Sequence, residues 1–146
     1  MPSWVRSRVA WLAVTVPTIC AIVVLVMIVR QVRVALEAEE NHQAYTHVLD
    51  LLIAYVSTHK GEWPRSWDDL TNVRLDNSRS MFEWPRDAEK VRVRVQVRFD
   101  VTASDVAEMN LQRFSAVRPN SPNYGVDVER IEVLQREIRQ HARSDK

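Results

Sequence analysis

The fold is decided by residues 31–59, which read QVRVALEAEENHQAYTHVLDLLIAYVSTH. This stretch contains no glycine or proline and is rich in good helix formers, so it predicts one helix that ends at about His59. Its apolar side chains recur at spacings of three and four residues and form one stripe: Ala44, Val48, Leu51, Leu52, Tyr55 and Val56. Because the opposite face carries polar residues such as Glu40 and Asp50, the helix is amphipathic and needs a partner surface.

An uncharged apolar segment over residues 9–29 precedes this helix, with Arg8 and Arg30 at its ends. At about 1.5 Å per residue it would span roughly 32 Å, close to the ~30 Å of a bilayer core. We therefore expect a short tail over 1–8, an uncleaved single-pass transmembrane helix over 9–29, and a domain over 30–146. The basic residues at the two ends are nearly balanced, and the α-amino group favours a cytoplasmic N-terminus. The predicted location is the bacterial inner membrane, with the domain exported.

A loop rich in tryptophan and proline is predicted over residues 61–70. Gly61 is suited to end the preceding helix, since glycine adopts the left-handed conformation common at helix C-termini. Ser66, followed three residues later by Asp69, has the spacing of a capping box and predicts a short helix after the loop.

One strand is predicted over residues 91–102, where apolar and polar residues alternate. The apolar members are Val91, Val93, Val95, Val97, Phe99 and Val101. A strand needs a partner, and residues 81–84 and 111–117 are the candidates for a small antiparallel sheet. Residues 105–113 equally fit a short helix capped by Ser104.

A second amphipathic helix is predicted over residues 126–141, with apolar residues spaced for one buried face. Glu132 and Arg136 lie four residues apart and predict an ion pair along it. Residues 76–78 predict a turn, and residues 118–125 predict a loop. The expected fold class is therefore α+β, with a long N-terminal helix packed on a small antiparallel sheet and a C-terminal amphipathic helix.

Two groups of residues are candidates for partner binding. The first shares one face of the predicted strand, as a basic stripe for an acidic partner or a solvated sheet face: Arg92, Arg94 and Arg98. The second is an interaction patch if exposed together, or core if buried: Trp63, Trp67 and Trp84.

Composition argues against several other functions. Of 20 basic residues, three (Arg6, Arg8 and Arg30) flank the apolar segment, so 17 face 19 acidic residues elsewhere and the remainder carries a net charge of −2. That balance predicts no nucleic-acid binding. The chain has two glycines, and Glu39 and His42 form one Glu-x-x-His copy where a di-iron site needs two. The carboxylates have no recognised calcium-loop spacing, so we expect no phosphate loop, metal site, cofactor or small-molecule substrate, and no enzymatic activity. Cys20 lies among aliphatic residues and is expected to act as an apolar filler.

Residues 55–64 read YVSTHKGEWP and residues 66–70 read SWDDL. This stretch, at the end of a long helix with an apolar N-terminal half, resembles type IV pilins and type II secretion pseudopilins of the major pseudopilin G type. In that family, a tyrosine-containing turn leads through a glycine, an aromatic residue and a proline into a short segment ending in leucine. The family's leader has a glycine before its cleavage point and a glutamate shortly after it, whereas residues 1–36 contain neither residue.

The resemblance implies a non-enzymatic, membrane-anchored, pilin-like protein that serves as a structural or accessory component of a secretion or cell-envelope assembly. Its partners would be the lipid bilayer together with further copies of the chain or an envelope protein. The alternative is a membrane-tethered binding or sensor module that recognises an acidic partner through Arg92, Arg94 and Arg98, or through loop 118–125.

Overall fold

The computed structural model describes residues 3–75, 81–121 and 126–144, with side chains from Cys20 to Arg143. The architecture is α+β, with a long N-terminal helix, a two-stranded antiparallel sheet and a C-terminal helix, which confirms the predicted class. The elements in chain order are α1 (Ser3–Thr58), α2 (Trp67–Thr71), α3 (Ala88–Arg94), β1 (Val95–Val97), α4 (Ala103–Glu108), a 3-10 turn (Leu111–Arg113), β2 (Val117–Pro119) and α5 (Val128–Ser144). Contacts divide the chain into two units, Met1–Glu37 and Ala38–Lys146.

The end of α1 at Thr58 matches its predicted end. Lys60 and Gly61 both adopt positive φ values, 53° and 82°, and the Gly61 amide donates a 2.9 Å hydrogen bond to the Val56 carbonyl. A β-carbon on Gly61 would lie 2.7 Å from the β-carbon of His141, closer than such atoms approach. Both the backbone conformation and the close approach of α5 therefore require glycine here.

The prediction of a transmembrane helix is wrong. No helix within the described residues is long and apolar enough to cross a bilayer, which contradicts the predicted transmembrane signal anchor and the single-pass inner-membrane localisation. From Cys20 onward the uncharged run ends at Val29, and Arg30, Arg33 and Glu37 follow. The side chains of residues 9–19, which belong to the predicted segment, lie outside the described part of the structure.

The second unit has one hydrophobic core, to which the C-terminal part of α1 contributes most. The predicted stripe is buried, with Ala44, Val48, Leu52 and Val56 fully inaccessible to solvent. Residues of the sheet and of α5 belong to the same buried cluster: Val95, Val97, Val117, Ile131, Leu134 and Ile138. The amphipathic pattern of residues 44–56 therefore identified the main core surface, because a helix buries the face on which apolar side chains recur.

The predicted strand over 91–102 is wrong in length. Its first residues form α3, and only Val95–Val97 are strand, paired antiparallel with β2 so that Gln96 lies opposite Arg118. Val91 and Val95 are four residues apart and both buried, which a helical turn achieves as well as a strand does, whereas Val93 is 69% exposed. Ion pairs three residues apart, Lys90 to Asp87 and Arg92 to Glu89, further support the helix.

The remaining local predictions are partly confirmed. The Ser66 and Asp69 capping box starts α2. The C-terminal helix predicted over 126–141 is α5, which begins two residues later and runs from Val128 to Ser144. The second strand forms at 117–119, and residues 81–84 are not a strand.

The short helix allowed within 105–113 is α4, capped by Thr102 instead of Ser104. The predicted turn at 76–78 and residues 122–125 of the predicted loop lie outside the described residues.

Candidate functional site

The three arginines predicted to form a binding face are each engaged with carboxylates. Arg94 pairs with Glu40 of α1, and Arg98 donates to Asp100 at 2.8 Å. Arg92 pairs with Glu89 at 3.0 Å and approaches Asp68 at 3.6 Å, with its guanidinium 5.7 Å from the centre of the Trp67 ring. Arg92 and Arg94 belong to α3 and Arg98 follows β1, so the three do not share the strand face on which the prediction depended.

The three tryptophans of the second unit contribute to packing. Trp63 is buried and its indole donates to the Arg98 carbonyl at 2.9 Å. The Trp84 indole donates to the Leu70 carbonyl at 2.7 Å. Trp67 lies 6.4 Å from Trp84, ring centre to ring centre, and 5.7 Å from Phe99. Trp67 and Trp84 are half-buried, and the three side chains pack around α2.

A cleft of about 590 Å³ lies between the end of α1 and α2. At its wall the Tyr55 and His59 rings stack with centres 3.9 Å apart, and His59 Nδ1 lies 3.0 Å from the Tyr55 carbonyl oxygen. Burial raises the pKa of Tyr55, and the Asp69 carboxylate acts in the same direction. Asp69 accepts hydrogen bonds from the Arg65 and Ser66 amides, so it serves as a helix cap.

His47 is a further ionisable group in the core, 3% exposed and beside the rings of Phe82 and Trp84 at 6.1 Å and 5.9 Å. Burial lowers the pKa of His47, and the carboxylates of Asp50 and Asp87 partly oppose this effect. Charging this imidazole therefore costs free energy in the folded state. No cluster of three or more histidine, cysteine or carboxylate ligands that could hold a metal occurs within the described residues.

Among the residues whose side chains the structure describes, the longest run of exposed apolar residues lies on α1 in the first unit. Consecutive residues from Ile22 to Val29 are each between 50% and 61% exposed, as are Val32, Val34 and Leu36. Five of these residues follow the alternating three- and four-residue spacing of a coiled-coil seam and define what we call the α1 seam: Ile22, Leu25, Val29, Val32 and Leu36. This heptad spacing is present in the sequence, but residues 9–29 were interpreted as a transmembrane helix and not as a coiled-coil surface.

A second surface that the sequence analysis missed lies along α5. Arg136, Arg139 and Arg143 line a groove of about 450 Å³ beside the 3-10 turn. In the described part of the chain no ion pair joins Arg136 to Glu132, although their spacing predicted one. The spacing of the three arginines along the helix was the available signal, because residues three, four and seven apart share a helical face.

No protein-family model, curated protein or solved structure matches this chain.

Proposed function

We propose that this protein is a non-enzymatic structural or accessory component of a multi-chain assembly, pilin-like in architecture, whose copies associate through the α1 seam. The observation that carries the proposal is the exposure of all five seam residues, from 51% at Val29 to 61% at Leu25. Soluble domains seldom leave so continuous an apolar surface uncovered, and large exposed patches mark interaction sites.

The positions of the polar residues on α1 support association through the seam face of the helix. With the seam at the a and d positions of a heptad, Arg30 and Glu37 fall at b, Gln31 at c and Arg33 at e. No charged residue therefore interrupts the a and d positions between Ile22 and Leu36, and a neighbouring helix can pack there without burying a charge.

Energetics favour several copies over a pair. Full burial of a Val, Leu or Ile side chain contributes about 1.5–3 kcal/mol, so half-exposed residues each have about 1 kcal/mol to gain. Ten seam residues in a pair would contribute about 10 kcal/mol, comparable to the ~4–15 kcal/mol entropic cost of association. Because Ile22–Val29 is apolar on every face, a bundle of more than two helices buries positions that a pair leaves in water. A pilin-like assembly component would use such a bundle.

Sedimentation equilibrium of the full chain tests this proposal through two matched double variants. L25Q/V32Q replaces both d positions of the seam, whereas M27Q/V34Q replaces the two f positions on the opposite face, where the side chains are equally exposed at 58%. In a pair, four lost contacts of about 1 kcal/mol each would weaken association by about a thousandfold in the d variant. The f variant should change association far less.

Two results would contradict the proposal. One is a wild-type chain that remains monomeric at every concentration reached. The other is equal weakening by the two variants, since that would indicate adhesion through general hydrophobicity instead of a seam.

A further inference from the structure

The groove on α5 combines an apolar edge with a basic wall. Leu111 of the 3-10 turn lies at one side, and Arg136, Arg139 and Arg143 line the other. Glu132 is the one acidic residue among the lining residues that the structure describes, so three positive charges and one negative charge give the groove a net charge of +2. The second unit as a whole does not have this excess: residues 38–146 contain 16 basic and 18 acidic side chains, a net charge of −2.

Arg139 is held in place by the protein itself. Its Nε and Nη2 donate to the Ala107 carbonyl at 3.2 Å and 2.7 Å, and Nη2 also donates to Gln135 Oε1 at 2.9 Å. This fixes the guanidinium in the middle of the groove, where it caps the C-terminal end of α4 and still contributes its charge.

Arg136 and Arg143 differ from the arginines first considered. Each is exposed, and neither makes an ion pair or side-chain hydrogen bond with any residue in the described ranges, whereas Arg92, Arg94 and Arg98 are all paired. Being seven residues apart, their α-carbons are separated by about 10 Å along the helix. In the part of the chain that the structure describes, these two guanidinium groups have no ion pair, and with the fixed Arg139 between them they form a linear basic site.

We propose that this groove binds an acidic helical segment of a partner protein. Carboxylates seven residues apart on a partner helix have the same ~10 Å repeat as Arg136 and Arg143, and guanidinium groups bind carboxylates in a bidentate manner. Leu111 is the apolar side chain in the groove lining that an apolar residue of the same partner helix would contact. A nucleic acid is disfavoured as the occupant, because phosphate binding draws on a wide positive field and the second unit is net negative.

This site is distinct from the α1 seam, so the two proposals can fail separately. The probe is a fluorescein-labelled helical peptide with glutamates seven residues apart and a leucine between them, and its counterpart carries glutamine in place of glutamate. Fluorescence anisotropy with the full chain should show binding of the glutamate peptide, weakening as salt is added, and much weaker binding of the glutamine peptide.

Matched variants locate the binding. R136Q/R143Q should weaken binding of the glutamate peptide by at least about tenfold. R65Q/R118Q removes the same charge from two exposed arginines that make no ion pair within the described residues, and should change binding less than about twofold.

Three results would overturn the proposal: no binding of the glutamate peptide, equal weakening by both double variants, or equally tight binding of a single-stranded oligonucleotide of the same length. The last outcome would identify a polyanion surface instead of a site for an acidic helix. Circular dichroism of each variant checks that α5 is retained.

Discussion

Replacing Gln135 by leucine should destabilise the second unit, because this side chain is a buried polar link between α5 and α4. Gln135 is 2% exposed, and its amide nitrogen donates to the Val106 carbonyl at 2.9 Å and to the Met109 carbonyl at 2.8 Å. Its amide oxygen accepts from Arg139 at 2.9 Å. The side chain therefore satisfies both its donors and its acceptor while it caps the end of α4.

The magnitude follows from these contacts. Losing the two hydrogen bonds to the backbone carbonyls removes about 1 kcal/mol each, and leaving a carbonyl unpaired in a partly buried position adds about 1–3 kcal/mol. The third bond adds little, because Arg139 is exposed and keeps its bonds to the Ala107 carbonyl when the Gln135 oxygen is removed. Val106 still accepts from the Met109 amide at 3.4 Å, so the Met109 carbonyl bears most of that penalty. The new leucine regains about 1–2 kcal/mol through apolar burial. We expect a net loss of about 2 kcal/mol, a large share of the ~5–15 kcal/mol that stabilises a typical domain.

Urea unfolding followed by tryptophan fluorescence and circular dichroism measures this loss as a lower midpoint at unchanged slope. The matched control is Q112L, since Gln112 is exposed and its side chain makes no hydrogen bond within the described residues. The control should lie within about 0.5 kcal/mol of wild type. If Q135L were as stable as Q112L, the polar link between α4 and α5 through Gln135 would contribute nothing to stability.

Two further predictions concern the core and the end of α1. Burial lowers the pKa of His47 in the folded state below its ordinary value of about 6.5. Between the folded and unfolded pKa values, the unfolded chain therefore binds more protons than the folded one. Stability should be greatest above about pH 6.5 and fall as the pH drops below it. Urea midpoints measured from pH 7.5 to 5.5 should show this slope in the wild type and a flatter one in H47Q, and an unchanged slope would exclude His47 as its cause. G61A should lower the free energy of unfolding by at least about 1–2 kcal/mol, because alanine is strained at a φ of 82° and its β-carbon would lie 2.7 Å from that of His141. A free energy of unfolding, measured by thermal unfolding, within about 0.5 kcal/mol of wild type would contradict this.

The sequence predicted those features that depend on near neighbours in the chain. Gly61 ends α1, and Ser66 with Asp69 starts α2, because backbone conformation and a three-residue spacing determine both. The stripe over 44–56 identified the core surface for a similar reason, since helical periodicity alone selects which side chains are buried.

The candidate site was predicted less well, because it depends on residues distant in sequence. Alternation over 91–102 did not distinguish a strand from a helical turn that buries Val91 and Val95, and the arginines then fell on different elements. Glu40 pairs with Arg94, which is 54 residues away in the sequence, and local sequence patterns cannot predict such a partner. The expectation that residues 9–29 cross a membrane rested on the length of the uncharged segment, and it is contradicted within the described residues, where no helix is long and apolar enough to cross a bilayer.

The packing of tryptophans around α2 also gives the second unit a spectroscopic signature. Trp67 and Trp84 lie 6.4 Å apart with their planes inclined by 43°, a separation and angle at which the electronic transitions of two indoles couple. The far-ultraviolet circular dichroism should therefore contain an exciton couplet in addition to the helical bands. Loss of that couplet while the helical signal persists would report loosening of the α2 region separately from the unwinding of α1.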